Sequence, residues 1–395
     1  MSTIPHAHPV VKDITILFCC VTEHPNKAEL SGSPTWHRLE KELYLYTAPR
    51  RAWLYLELAD EEELATDDLL VADIVVAEKA PNSSSDHVWE SRPGGIWVRK
   101  AKFRGRIDQY VTAVNVLFGE DAVDPRPRWV LIQSSLRLDG PPETPAARLS
   151  VHHGRANSTP YLRPSLRTRK DGKFKIVQIS DTHMVTGVGV CKDAVDATGG
   201  HLPESAADPL TVKFIGNTLD SEKPDLVVLT GDQLHHDILD TQSALFKVAA
   251  PIISRSLPFA AVFGNHDSEG VHALSLGHHI VGEAQMSMLR ELPLSLCDPG
   301  PEHVDGVGNF HLQILAPEGP DLSLSTLFFL DSHGQTPNKM HNPDYCPIEQ
   351  SQIDWFTSTC QALRSSSSTY LFQNLGTVIC VYTMVTVENP LKAQV

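Results

Sequence analysis

The hydrophobic rhythm of the chain changes part-way along. Between residue 13 and about residue 139, short apolar runs ("ITILFCC", "AWLYLELA", "LLVADIVVAE", "GIWVRKAKF", "YVTAVNVLF", "RWVLIQSSLRL") alternate with Gly, Pro and Asp. β-Branched and aromatic residues fill the runs, which predicts a mainly β domain over residues 1–139. Residues 140–173 are rich in Pro, Arg and Ser and read as a linker or surface strap. From Phe174 the pattern becomes "FKIVQIS", a helical stretch to Pro224, "DLVVLT", a second helical stretch, and "PFAAVF". Continuously apolar strands separated by single helices predict a parallel sheet buried on both faces. A further helix, two strands ("GNFHLQIL", "LSLSTLFFL") and the amphipathic helix "EQSQIDWFTSTCQALR" complete a second domain over 174–364. Residues 365–395 form an atypical tail in which "TVICVYTMVTV" reads as a strand.

With 395 residues, the chain exceeds one ordinary core, in keeping with two domains. A formal net charge of −15 argues against nonspecific binding to nucleic acid or to an anionic membrane. It leaves room for a phosphorylated substrate, because bound cations can reverse the field inside a pocket. No run approaches the roughly eighteen apolar residues of a membrane span. The N-terminal residues show no basic segment followed by a long apolar stretch. The seven cysteines are irregularly spaced, as expected of reduced thiols in a cytoplasmic protein.

Candidate chemistry lies where the three apolar runs end. "FKIVQIS" is followed by Asp181-Thr182-His183, "DLVVLT" by Gly231-Asp232-Gln233, and "PFAAVF" by Gly264-Asn265-His266-Asp267. Open α/β sheets bind ligands outside the carboxyl ends of their strands, so the three clusters are expected to share one crevice. Carboxylate oxygen and imidazole nitrogen are ligands for zinc, iron or manganese. Residues two apart on extended chain face the same side, which suits Asp181 and His183 to one ion. The pairs His235-His236 and His278-His279 have a reading as lining of the substrate mouth but are read mainly as solvated loop or helix-end residues, and His152-His153 as part of the strap. Asp331-Ser332-His333 ends another strand and has a structural reading alongside a pocket-facing one.

"DTH", "GDQ" and "GNHD", in this order and at this spacing, resemble the first three blocks of the calcineurin-like metallophosphoesterases. The tract 174–364, with "PGPEHVDGVGNFHLQIL", resembles the fungal purple-acid-phosphatase-like branch. The resemblance implies an αββα sandwich that binds two metal ions of the Fe, Zn or Mn type and hydrolyses phosphomonoesters, including those of phosphoproteins, through a metal-activated water. Asp181 and His183 would bind one ion, Asp232 would bridge both, and Asn265 would bind the second. His266 would protonate the leaving oxygen or stabilise the phosphate, with Asp267 orienting it. Purple enzymes carry a tyrosine three residues after the bridging Asp; here that position is His235, so no tyrosinate colour is expected.

The same family completes its metal shells with later histidines, including a Gly-His-x-His block. No histidine follows Arg364 in this sequence. The expectation is therefore a domain lacking its C-terminal part, with three protein ligands for one ion and two for the other. The alternative expectation is an impaired metal-binding pseudo-phosphatase.

Overall fold

A computed structural model describes residues 9–20, 35–82, 88–155, 163–192, 194–195, 198–236, 238–267, 278–319, 322–333, 346–366 and 378–381. They fall into two compact units, residues 1–160 with 186–188, and residues 161–185 with 189–395.

In the first unit, the β-rich reading of the sequence holds. Three antiparallel three-stranded sheets form, in the orders β1-β3-β2, β4-β6-β5 and β7-β9-β8. Their strands are β1 (Pro9–Cys20), β2 (Trp36–Glu42), β3 (Arg50–Asp60), β4 (Leu69–Val76), β5 (Trp89–Arg92), β6 (Ile96–Lys102), β7 (Val111–Phe118), β8 (Trp129–Leu131) and β9 (Ala147–His153). The apolar runs supply six of them. β2 ("WHRLEKE") and β5 ("WESR") carry no apolar run because they bury almost no position, and their charged side chains discourage edge pairing. β9 lies inside the stretch read as a strap, yet it is the central strand of its sheet. It buries Leu149 and Val151, and His152 is a core residue held by the Thr112 hydroxyl at 2.9 Å.

The second unit holds two further sheets. β10 (Ile176–Ile179), β11 (Leu226–Thr230) and β12 (Phe259–Val262) pair in parallel, linked by α1 (Ala207–Glu222) and α2 (Thr241–Ile253). β13 (Phe310–Leu315) and β14 (Ser323–Phe329) pair antiparallel, and β15 (Val378–Val381) adds to β14 in parallel. α3 (His278–Arg290) precedes β13, and α4 (Gln350–Ser366) follows β14.

The two sheets pack face to face. Leu226, Val228, Ala260 and Val262 of one share a core with Phe310, Ile314, Leu327 and Phe329 of the other, and Phe310 stacks on Phe329 at 4.4 Å. On the outer side of the second sheet, Phe328 meets Trp355 and Phe356 of α4. α1 and α2 pack together, joined by a buried Asp208–Lys247 ion pair. The second unit is the expected mixed α/β sandwich, and the first is mainly β. The Asp240 side chain caps α2 by accepting the Ser243 N–H at 2.9 Å.

Candidate metal centre

All three polar clusters sit at the carboxyl ends of the parallel strands. Past β10 and β11 the two chains stay paired: the Asp181 N–H donates to Gly231 O, His183 to Asp232 O, and Met184 to Gln233 O, at 2.9–3.1 Å. This ladder brings Asp181, His183 and Asp232 together, with a ligand atom of each within 4.8 Å of the others. All three adopt left-handed backbone (φ 56°, 44° and 52°). Such conformations cost non-glycine residues energy, are tolerated best by Asp, Asn and His, and cluster at functional sites.

The loop after β12 closes the centre from the other side. The Asp267 carboxylate is buried and accepts three backbone N–H bonds, from Asp232 (2.9 Å), Gly264 (2.7 Å) and Leu234 (2.9 Å). The His266 N–H in turn donates to Asp232 Oδ1 at 3.0 Å. Asp267 thus ties the β11 and β12 loops together through backbone N–H groups. Burial pushes its carboxyl up to about 7, and the backbone N–H bonds pull in the opposite direction.

Gly264 is needed for close approach. A Cβ there would lie 2.2 Å from Asp232 Oδ1 and 2.6 Å from its backbone nitrogen. Asn265 is buried beside this contact. Gln233, buried as well, donates to Gly231 O at 2.7 Å and accepts the Thr182 hydroxyl. Thr182 and Gln233 therefore lock the first two motifs together, a role that reading the motifs for ligands passes over.

The donors fit a metal ion. Two carboxylates and the His183 imidazole converge, with His183 Nε2 4.0 Å from Asp181 Oδ1. Burial lowers the His183 pKa, with Asp232 and Asp181 opposing the shift, which favours the neutral imidazole that ligates metals.

Two features stand closer to the centre than sequence reasoning placed them. His235 and His236 join His183 and His266 in a cluster of rings, with His235 5.9 Å from His183 and His236 5.7 Å from His266. A cavity of about 490 Å³ also borders Gly264 and is lined by Glu302, Asp305, Asp331 and His333. Asp331 there accepts the Val307 and His333 N–H groups, and His333 Nε2 meets Gln352 at 2.9 Å. This ties the 302–307 loop to the start of α4. His333 is outside the Asp181–His183–Asp232 group. His278 and His279 open α3.

Residues 174–357, spanning these strands, motifs and helices, match the family model described as calcineurin-like phosphoesterase. This chain carries a calcineurin-like phosphoesterase domain. Over 249 residues it is 35% identical to "Phosphatase DCR2" of Saccharomyces cerevisiae, 62% of this chain and 41% of that protein. It is 31% identical over 227 residues to "Probable inactive purple acid phosphatase 14" of Arabidopsis thaliana, 55% of this chain and 54% of that one. An uncharacterized protein of Schizosaccharomyces pombe is 28% identical over 333 residues, 82% of this chain and 59% of its own length. The chain thus spans about half the length of these relatives. Among the described residues, no helix is long and apolar enough to cross a membrane.

Proposed function

We propose that this calcineurin-like phosphoesterase hydrolyses phosphomonoesters, phosphoproteins among them, at the ends of β10, β11 and β12. The observation that carries the reading is the convergence of Asp181, His183 and Asp232, a ligand atom of each lying within 4.8 Å of the others. Asp181, His183 and Asp232 would hold one ion, and Asp232 with Asn265 a second. Bound ions of this kind polarise phosphoryl oxygens and lower the pKa of water, so that displacement at phosphorus proceeds near neutral pH.

The remaining work falls to the chain's own groups. His266 gives a proton to the leaving oxygen, its ring standing 5.2 Å from that of His183. Its backbone N–H fixes the Asp232 carboxylate, while Asp267 holds the loops bearing both residues. Hydrolysis of an aryl phosphate by the metal-loaded chain tests the reading, with Asp232→Asn and His266→Ala each expected to abolish it. Undiminished turnover by both variants would defeat the assignment.

A second reading is favoured by the names of the plant relatives, three of which are called probable inactive purple acid phosphatases. On that reading the chain binds metal and phosphate without turnover. Metal retention with no hydrolysis by the wild-type chain would select it.

A further inference from the structure

The extra histidines are positioned by backbone. The ladder joining the first two motifs runs one step further, with the His235 N–H donating to Met184 O at 3.0 Å. His235 therefore sits beside His183, ring against ring edge, at an interplanar angle of 74°. His236 packs 4.2 Å from His235 and 5.7 Å from His266, and His266 lies 5.2 Å from His183. The four rings close a circuit. It runs from the partly buried His183 and His235 to the exposed His236.

We infer that His235 and His236 bind the phosphoryl oxygens of the substrate, extending the contact made by His266. The inference rests on the phosphoesterase reading above and adds two residues to it. Neither ring belongs to the Asp181–His183–Asp232 set whose ligand atoms lie within 4.8 Å of one another. A phosphoryl group held at that set presents acceptor oxygens on its outer side. Imidazole always offers at least one N–H donor, and its bonds to a charged oxygen are the stronger, charge-assisted kind. The acidic balance of the chain, −15 overall, adds to the need for local donors around an anionic group.

The test is a titration of inorganic phosphate into the manganese-loaded, full-length chain, with metal content measured on each protein. His235→Ala and His236→Ala are each expected to weaken phosphate binding roughly tenfold or more, the scale of a hydrogen bond to a charged group. Metal content should stay at the wild-type level. His235→Gln and His236→Gln, which keep an N–H donor, should recover part of the affinity and guard against a merely structural effect. Unchanged phosphate affinity in both alanine variants overturns the inference while leaving the phosphoesterase reading intact. Loss of metal in either one overturns it differently, by making that imidazole a ligand. A wild-type chain that binds neither manganese nor phosphate removes both readings together.

Discussion

Replacing Gly264 by alanine tests the construction of the site with little chemical change. The glycine leaves room for Asp232 to approach the β12 loop, and an added Cβ would lie 2.2 Å from Oδ1, 2.6 Å from the backbone nitrogen and 2.8 Å from Cγ. Opening the first contact from 2.2 Å to 3.0 Å, below which Cβ contacts essentially never occur, moves the carboxylate by about 0.8 Å. Metal–ligand distances tolerate only about 0.2 Å. Disturbing the groups that orient a metal ligand costs about 10–100-fold in metal affinity. The His266 N–H bond to the same oxygen, 3.0 Å in the native chain, is disturbed too. Gly264→Ala should therefore weaken manganese binding about 10–100-fold in isothermal titration. Circular dichroism at 222 nm reports whether the second unit stays folded, because α1–α4 all belong to it. Gly282→Ala is the control: its Cβ would meet only Val307 at an ordinary 3.6 Å, so metal affinity should not change. A folded Gly264→Ala chain with native manganese affinity would refute the close-approach argument.

Other perturbations reach different parts of the molecule. Lys247→Met strands the buried Asp208 carboxylate, which also accepts the Val185 N–H at 3.0 Å, and should cost about 3–5 kcal/mol in urea denaturation followed at 222 nm. A loss below about 1 kcal/mol would show that the pair does not anchor α1 to α2. In the first unit, burial raises the Asp13 carboxyl, but bonds from Arg92, Lys100 and the Ile14 N–H outweigh it and leave the pKa below the usual range. A carboxyl lowered in the folded state stabilises above its unfolded pKa and loses that contribution as pH falls through the folded value. Asp13→Asn should thus cost on the order of 1–3 kcal/mol at pH 7 and less at about pH 2, by denaturation followed through tryptophan fluorescence. A cost that is the same at both pH values would contradict the pairing. Asp267→Ala should speed amide exchange at Asp232, Leu234 and Gly264, whose N–H groups lose their acceptor. Native protection at all three would count against the scaffolding role.

In the second unit, β11 and β12 were legible in the sequence because they are buried on both faces, whereas β10, an edge strand, buries no position fully. "DLVVLT" and "PFAAVF" are apolar throughout, and β11 and β12 are buried at every position. The first unit was legible only where a strand is central or one face is buried. β2 and β5 are polar edges, and β9 was masked by the proline-rich sequence around it. At the site, the three motif blocks pointed to one crevice, and the structure brings Asp181, His183 and Asp232 together there. The backbone job of Asp267 was not legible, since a carboxylate beside a histidine reads equally as a partner for the ring. Nor was the approach of His235 and His236, which depends on the ladder continuing past β10 and β11. The left-handed backbone at Asp181, His183 and Asp232 is likewise visible only in three dimensions, although Asp and His are residues that tolerate it.

The most direct measurement is the metal content of the purified chain after equilibration with manganese, zinc or iron, set against that of Asp232→Asn. The account predicts about two ions per wild-type chain, as a dinuclear phosphoesterase centre requires, and a clear fall in the variant. Fewer than one ion per chain, unchanged by the substitution, would contradict it.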